Sequence, residues 1–113
     1  MDKGLYEAAI EPFEREIDEL LPLGAPVIDA HTHLGLDEDG RSLTSAELLA
    51  QLDAARAERA CVFPLHDPER KPRYSLPNDR VLEWAASTDG SLIPFCRLDP
   101  AEAPVQELSL IHI

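Results

Sequence analysis

Apolar residues fall along the chain in two rhythms. From Leu5 to Leu21, the residues Leu5, Ala8, Ala9, Phe13, Ile17, Leu20 and Leu21 recur mostly at steps of three or four, and Glu7, Glu11, Glu14 and Glu19 are left on the other side. That spacing predicts one stripe of an amphipathic helix with a solvated acidic face. Pro12 lies inside the stripe and predicts a kink or a division, because it removes an amide donor and its ring crowds the carbonyl four residues earlier. Pro22, Gly24 and Pro26 end the helix.

The second rhythm is a series of short apolar runs separated by helical stretches. Val27–His33 predicts a buried strand ending at Gly35, followed by the acidic turn Asp37-Glu38-Asp39-Gly40. Thr44 and Glu47 have the spacing of a capping box, in which each side chain satisfies the other's free amide. Ala46, Leu49, Leu52 and Ala55 continue that helix to about Ala57. Ala60–Phe63 is the next strand, closed by Pro64 and the Pro68–Pro72 stretch. A helix over Asp79–Ser87 carries Val81, Leu82, Trp84 and Ala85, with Gly90 as its stop, and Leu92–Cys96 is the last apolar run. Ile28, Cys61 and Ile93 stand about 32 residues apart, near the ~30 of a βαβ unit. Strand, helix, strand, helix, strand predicts an α/β fold with a parallel sheet. Three such strands make an incomplete sheet, because parallel sheets want cover on both faces.

Composition narrows the function classes. With 22 acidic against 10 basic side chains, the net charge is −12, which opposes a nucleic-acid surface built on clustered Lys and Arg. The 113 residues, 44% of them hydrophobic, suit one small globular domain. No apolar run approaches the ~20 residues of a bilayer span, and the first residues lack a secretory pattern, so no membrane partner and a cytoplasmic setting are expected. Cys61 and Cys96 are too few for a disulfide scaffold and lack zinc-finger spacing. Inside strands, they serve as small hydrophobes.

The chemistry concentrates in Asp29-Ala30-His31-Thr32-His33-Leu34-Gly35. Alternation along a strand points His31 and His33 to one face, with Asp29 behind them. Two adjacent imidazoles at the end of a buried strand suit a divalent metal, Zn²⁺ first among several. The bland alternative is two histidines satisfied by solvent or core. His66, after the second strand, and Arg97, after the third, are candidate substrate contacts. Arg97 offers a carboxylate-binding fork; its plain alternative is a pair with Asp99. Trp84 at helical spacing reads as core.

The string Val27–Gly35 resembles the first barrel strand of the amidohydrolase superfamily, and most of all its amidohydrolase-related branch, which includes aminocarboxymuconate-semialdehyde decarboxylase. Ala60–Leu65, Asn78–Leu82 and Leu92–Pro100 are similar to later text of the same branch, so the likeness covers about residues 25–105. It implies a TIM barrel carrying a metal at the C-terminal ends of its strands, with His31 and His33 as the paired ligands from the first. It further implies one or two histidines and an aspartate from later strands, which these residues do not supply, and leaves the catalytic acid/base unassigned. The expected organisation is an N-terminal helix and linker (1–26), the first three β/α units of a truncated barrel (27–107) and a non-native tail (108–113). The tail is similar to translated sequencing adapter, and its His112 is not counted as a ligand. The implied activity is that of a metal-dependent hydrolase or decarboxylase acting on a small molecule, inactive as this fragment and a homo-oligomer at most when whole. Two alternatives stay open: a small non-catalytic α/β interaction domain with incidental histidines, or another H-x-H barrel family, such as the TatD-type nucleases or the polymerase-and-histidinol-phosphatase group. The acidic charge weighs against a nuclease.

Overall fold

The structure, a computed structural model, describes residues 2–102. The expected tail at 108–113 and the last residues of the expected barrel segment lie outside that range. Seven elements follow in order: α1 (Lys3–Leu20), β1 (Ile28–Leu36), β2 (Ser42–Leu43), α2 (Ser45–Ala54), β3 (Arg59–Pro64), α3 (Ser75–Ala86) and β4 (Leu92–Pro94). The four strands lie in the order β2-β1-β3-β4, with β1, β3 and β4 parallel and β2 antiparallel on the outer edge of β1. The described residues therefore form an open, mixed four-strand α/β sheet and not a closed barrel.

Burial divides the sheet by face. Leu34, Ala60, Val62 and Leu92 form one cluster with Leu48 and Leu52 of α2 and Val81 and Ala85 of α3, so both helices cover the same side. Leu43, Leu49, Ala57 and Trp84 pack around its rim. The alternate positions, His31, His33, Cys61, Phe63 and Ile93 with Phe95 beyond, range from half-buried to exposed. Phe63 and Phe95 stack there with ring centroids 5.0 Å apart, and Phe63 lies 5.1 Å from the His31 ring.

Several local expectations are corrected. Pro12 does not divide α1, which runs unbroken over 18 residues. Proline leaves the Ala8 carbonyl without its helical donor, and water can take that carbonyl because the helix is exposed along nearly its whole length. The capping box at Thr44 and Glu47 forms as expected. The buried stripe of α2 is Leu48 and Leu52, however, and Ala46 stays exposed. α3 begins four residues before Asp79, behind a left-handed Tyr74 with φ of 55° and no side-chain cap. Pro77 is accommodated because the first turn needs no amide donors. β1 does not stop at Gly35, whose φ of +107° carries the chain on to Leu36 and the small β2 pairing. A side chain at Gly35 would also meet Trp84, 3.6 Å from an ideal Cβ. β4 is shorter than expected, so Cys96 lies after it, and both cysteines are half-buried and free.

Candidate metal centre and its cleft

β1 departs from ideal alternation just where the histidines begin. Asp29 pairs with Ala60 and Thr32 with Val62, so β1 uses three steps where β3 uses two. One surplus residue is a bulge, a device that re-aims side chains and recurs beside active sites. It turns Asp29 to a local task, in which its Oδ1 accepts from the His31 amide at 3.1 Å. Thr32 anchors the strand beyond the bulge, donating from Oγ1 to the Cys61 carbonyl at 2.8 Å.

His31 and His33 nonetheless emerge together. Their Nε2 atoms are 3.1 Å apart and their ring centroids 4.9 Å. An ion about 2.05 Å from both nitrogens, the usual Zn–N distance, would subtend about 98° at that separation. That angle falls between the about 90° of octahedral and about 109° of tetrahedral coordination. The other ring nitrogen of His33, Nδ1, lies 3.3 Å from the Pro64 carbonyl at the end of β3. A carbonyl only accepts, so this contact places a proton on Nδ1 and leaves a lone pair on Nε2, the tautomer a metal ligand needs. In the metal-free pair His31 then donates from Nε2 to that lone pair. Among the described residues, no group of three or more His, Cys, Asp or Glu side chains could hold a metal ion. The pair is two ligands and no more.

An open cleft of about 500 Å³ brings three of the four candidate residues together. His33, His66 and Arg97 line it, with Asp37, Arg41 and Leu65. His66 is tied on both nitrogens, with Nδ1 2.7 Å from the Tyr74 hydroxyl and Nε2 3.2 Å from Glu38 Oε2, which also meets Arg70 at 3.2 Å. Arg97 does not pair with Asp99. It donates from Nη1 to the Pro64 carbonyl at 3.3 Å, its guanidinium carbon lies 5.2 Å from the Tyr74 ring centre, and Asp99 Oδ1 instead accepts from the Ala101 amide. Asp37 is held below the usual carboxylate range, first by the Asp39 amide donating to Oδ1, with the Arg41 charge adding to the effect.

Sequence reasoning missed two groups that shape this site. The Pro64 carbonyl has no side-chain signature. Asn78, noted only within the family likeness, is 1% exposed and clamps Arg97: its Oδ1 accepts from the Arg97 amide at 2.8 Å and its Nδ2 donates to the Arg97 carbonyl at 3.0 Å. A buried Asn is a signal only once burial is known. No helix of the described residues is long and apolar enough to cross a membrane. No protein-family model, curated protein or solved structure matches the chain.

Proposed function

We propose that this chain carries the two-imidazole half of a divalent metal site in a metal-dependent hydrolase or carboxy-lyase of the amidohydrolase type. The observation that carries the reading is the 3.1 Å separation of the His31 and His33 Nε2 atoms, with His33 Nδ1 turned to a carbonyl. The bare face of the parallel sheet supports it too. Parallel strands are ordinarily covered on both sides, and a barrel lumen would give His31, His33, Phe63 and Phe95 a common interior. Arg97 and His66 on the cleft wall are the residues to contact a small-molecule substrate.

Zn²⁺ fits the imidazole pair best, and the group would supply a water acidified toward ~7 or a polarised substrate oxygen. The chain's own part is to hold two neutral imidazoles at chelating distance and to floor the cleft beside them. Three protein ligands make a catalytic zinc site, and the described residues offer two, so on this reading they do not complete a catalytic centre by themselves. A second reading, a non-catalytic interaction domain, draws on α1, where Leu5, Phe13, Ile17 and Leu20 are each more than half exposed.

Calorimetric titration of the full chain with Zn²⁺ tests the proposal. One ion should bind, with a Kd weaker than about 1 μM (~8 kcal/mol) because only two ligands serve. His31→Ala and His33→Ala should each abolish it. Binding that survives His31→Ala would overturn the ligand assignment, and no binding at millimolar Zn²⁺ would favour the interaction domain.

A further inference from the structure

We propose that Arg97 is a positioning residue for the metal pair, acting on His33 through the carbonyl of Pro64. This rests on the metal-site reading above. The Pro64 carbonyl oxygen, which can accept two hydrogen bonds, lies 3.3 Å from His33 Nδ1 and 3.3 Å from Arg97 Nη1. A rotated carbonyl would release His33 to the opposite tautomer, whose Nε2–H cannot ligate a metal. Arg97, donating to the same oxygen, holds that carbonyl in place.

Arg97 is well placed to do this because it is itself held at three points. The buried Asn78 amide grips its backbone N–H and carbonyl, and the Tyr74 ring lies under its guanidinium. Arg41, Arg70 and Arg80 around the cleft and the neighbouring loop each meet a carboxylate. Among the described residues Arg97 has no such partner, so its charge is not drawn away from Pro64. The link runs from α3 through the segment after β4 and the end of β3 to the ligand on β1. It joins all three parallel strands to the orientation of one ring.

The test uses the full chain, ¹⁵N-labelled, with long-range ¹H–¹⁵N correlation of the histidine rings and Zn²⁺ titration side by side. In the metal-free wild type, His33 should be protonated on Nδ1. Arg97→Met should shift His33 toward the Nε2–H tautomer and weaken Zn²⁺ binding about ten-fold, the lower end of what losing an outer-shell partner costs. Arg97→Lys, which keeps a donor, should recover part of both effects. The Asn78 side-chain amide signals report whether the clamp and the local fold survive in each variant. If wild-type Zn²⁺ affinity and the His33 tautomer are both indifferent to Arg97→Met in a folded chain, this proposal fails while the metal site stands. Equal Zn²⁺ losses in the Met and Lys variants with an unchanged tautomer would also overturn it. A wild-type chain that binds no Zn²⁺ removes the metal-site reading itself.

Discussion

Asn78→Ala is the most informative perturbation of the scaffold beneath the cleft. Asn78 is 1% exposed, and its amide makes two backbone bonds to Arg97, of 2.8 and 3.0 Å. Each such bond contributes about 1 kcal/mol net, and a partner left buried and unpaired costs about 1–3 kcal/mol. Arg97 is only half-buried, so water can recover part of the loss. About 2 kcal/mol of destabilisation is therefore expected, roughly a thirty-fold shift in the folding equilibrium. With a slope of about 1–3 kcal/mol/M, the urea midpoint should fall by about 0.7–2 M. Asn78→Asp separates bonding from packing: it keeps the acceptor for the Arg97 amide but sets a carboxylate oxygen against the Arg97 carbonyl. It should be no more stable than Asn78→Ala at neutral pH. A loss below about 0.5 kcal/mol for Asn78→Ala, the level of an ordinary surface change, would refute the clamp, as would an Asp variant as stable as the wild type.

Two further outcomes follow from local geometry. Thr44→Ala removes the hydroxyl that accepts from the Glu47 amide at 3.2 Å and should cost about 1 kcal/mol in a urea melt, with less helical circular dichroism from α2. Asp37, whose folded pKa is depressed, stabilises its turn at pH values above its unfolded value near 3.8, and that contribution is lost as pH falls through the lower folded value. Carboxyl ¹³C titration should place the Asp37 midpoint below 3.8, and Asp37→Asn should remove this part of the acid sensitivity.

How much was legible in advance varies with the physical source of each feature. β1, β3 and β4 were readable as strands because compact apolar runs, Val27–Ile28, Ala60–Phe63 and Leu92–Ile93, stand at βαβ spacing. The burial expected of β1 is not found, since Ile28–His31 are exposed and only Leu34 is buried. The α2 start was readable because a capping box is a local contract between two side chains. The buried face of α2 was not: Leu48, Leu49 and Leu52 satisfy two helical stripes equally, and only packing into the buried cluster beneath the sheet selects Leu48. Nor was the α3 start, since a bulky tyrosine at positive φ is a strained choice imposed by surrounding structure. Two residues of β2 are too few to show a period. In the site, H-x-H spacing foretold the shared face of His31 and His33 but not the bulge between Asp29 and Thr32, which exists only relative to β3. Arg97 was singled out for a fork it could offer a ligand; the contacts found are with a carbonyl and a ring. Those partners lie 33 and 23 residues away in sequence, beyond any local pattern.

The sheet's two-sidedness also divides the vulnerability of the chain to mutation. Leu34, Ala60, Val62 and Leu92 answer to folding, whereas their immediate neighbours His33, Cys61, Phe63 and Ile93 answer to whatever the open side meets. A saturation survey scored for abundance would thus trace a comb along the strands, with deep teeth at the first set and shallow gaps at the second.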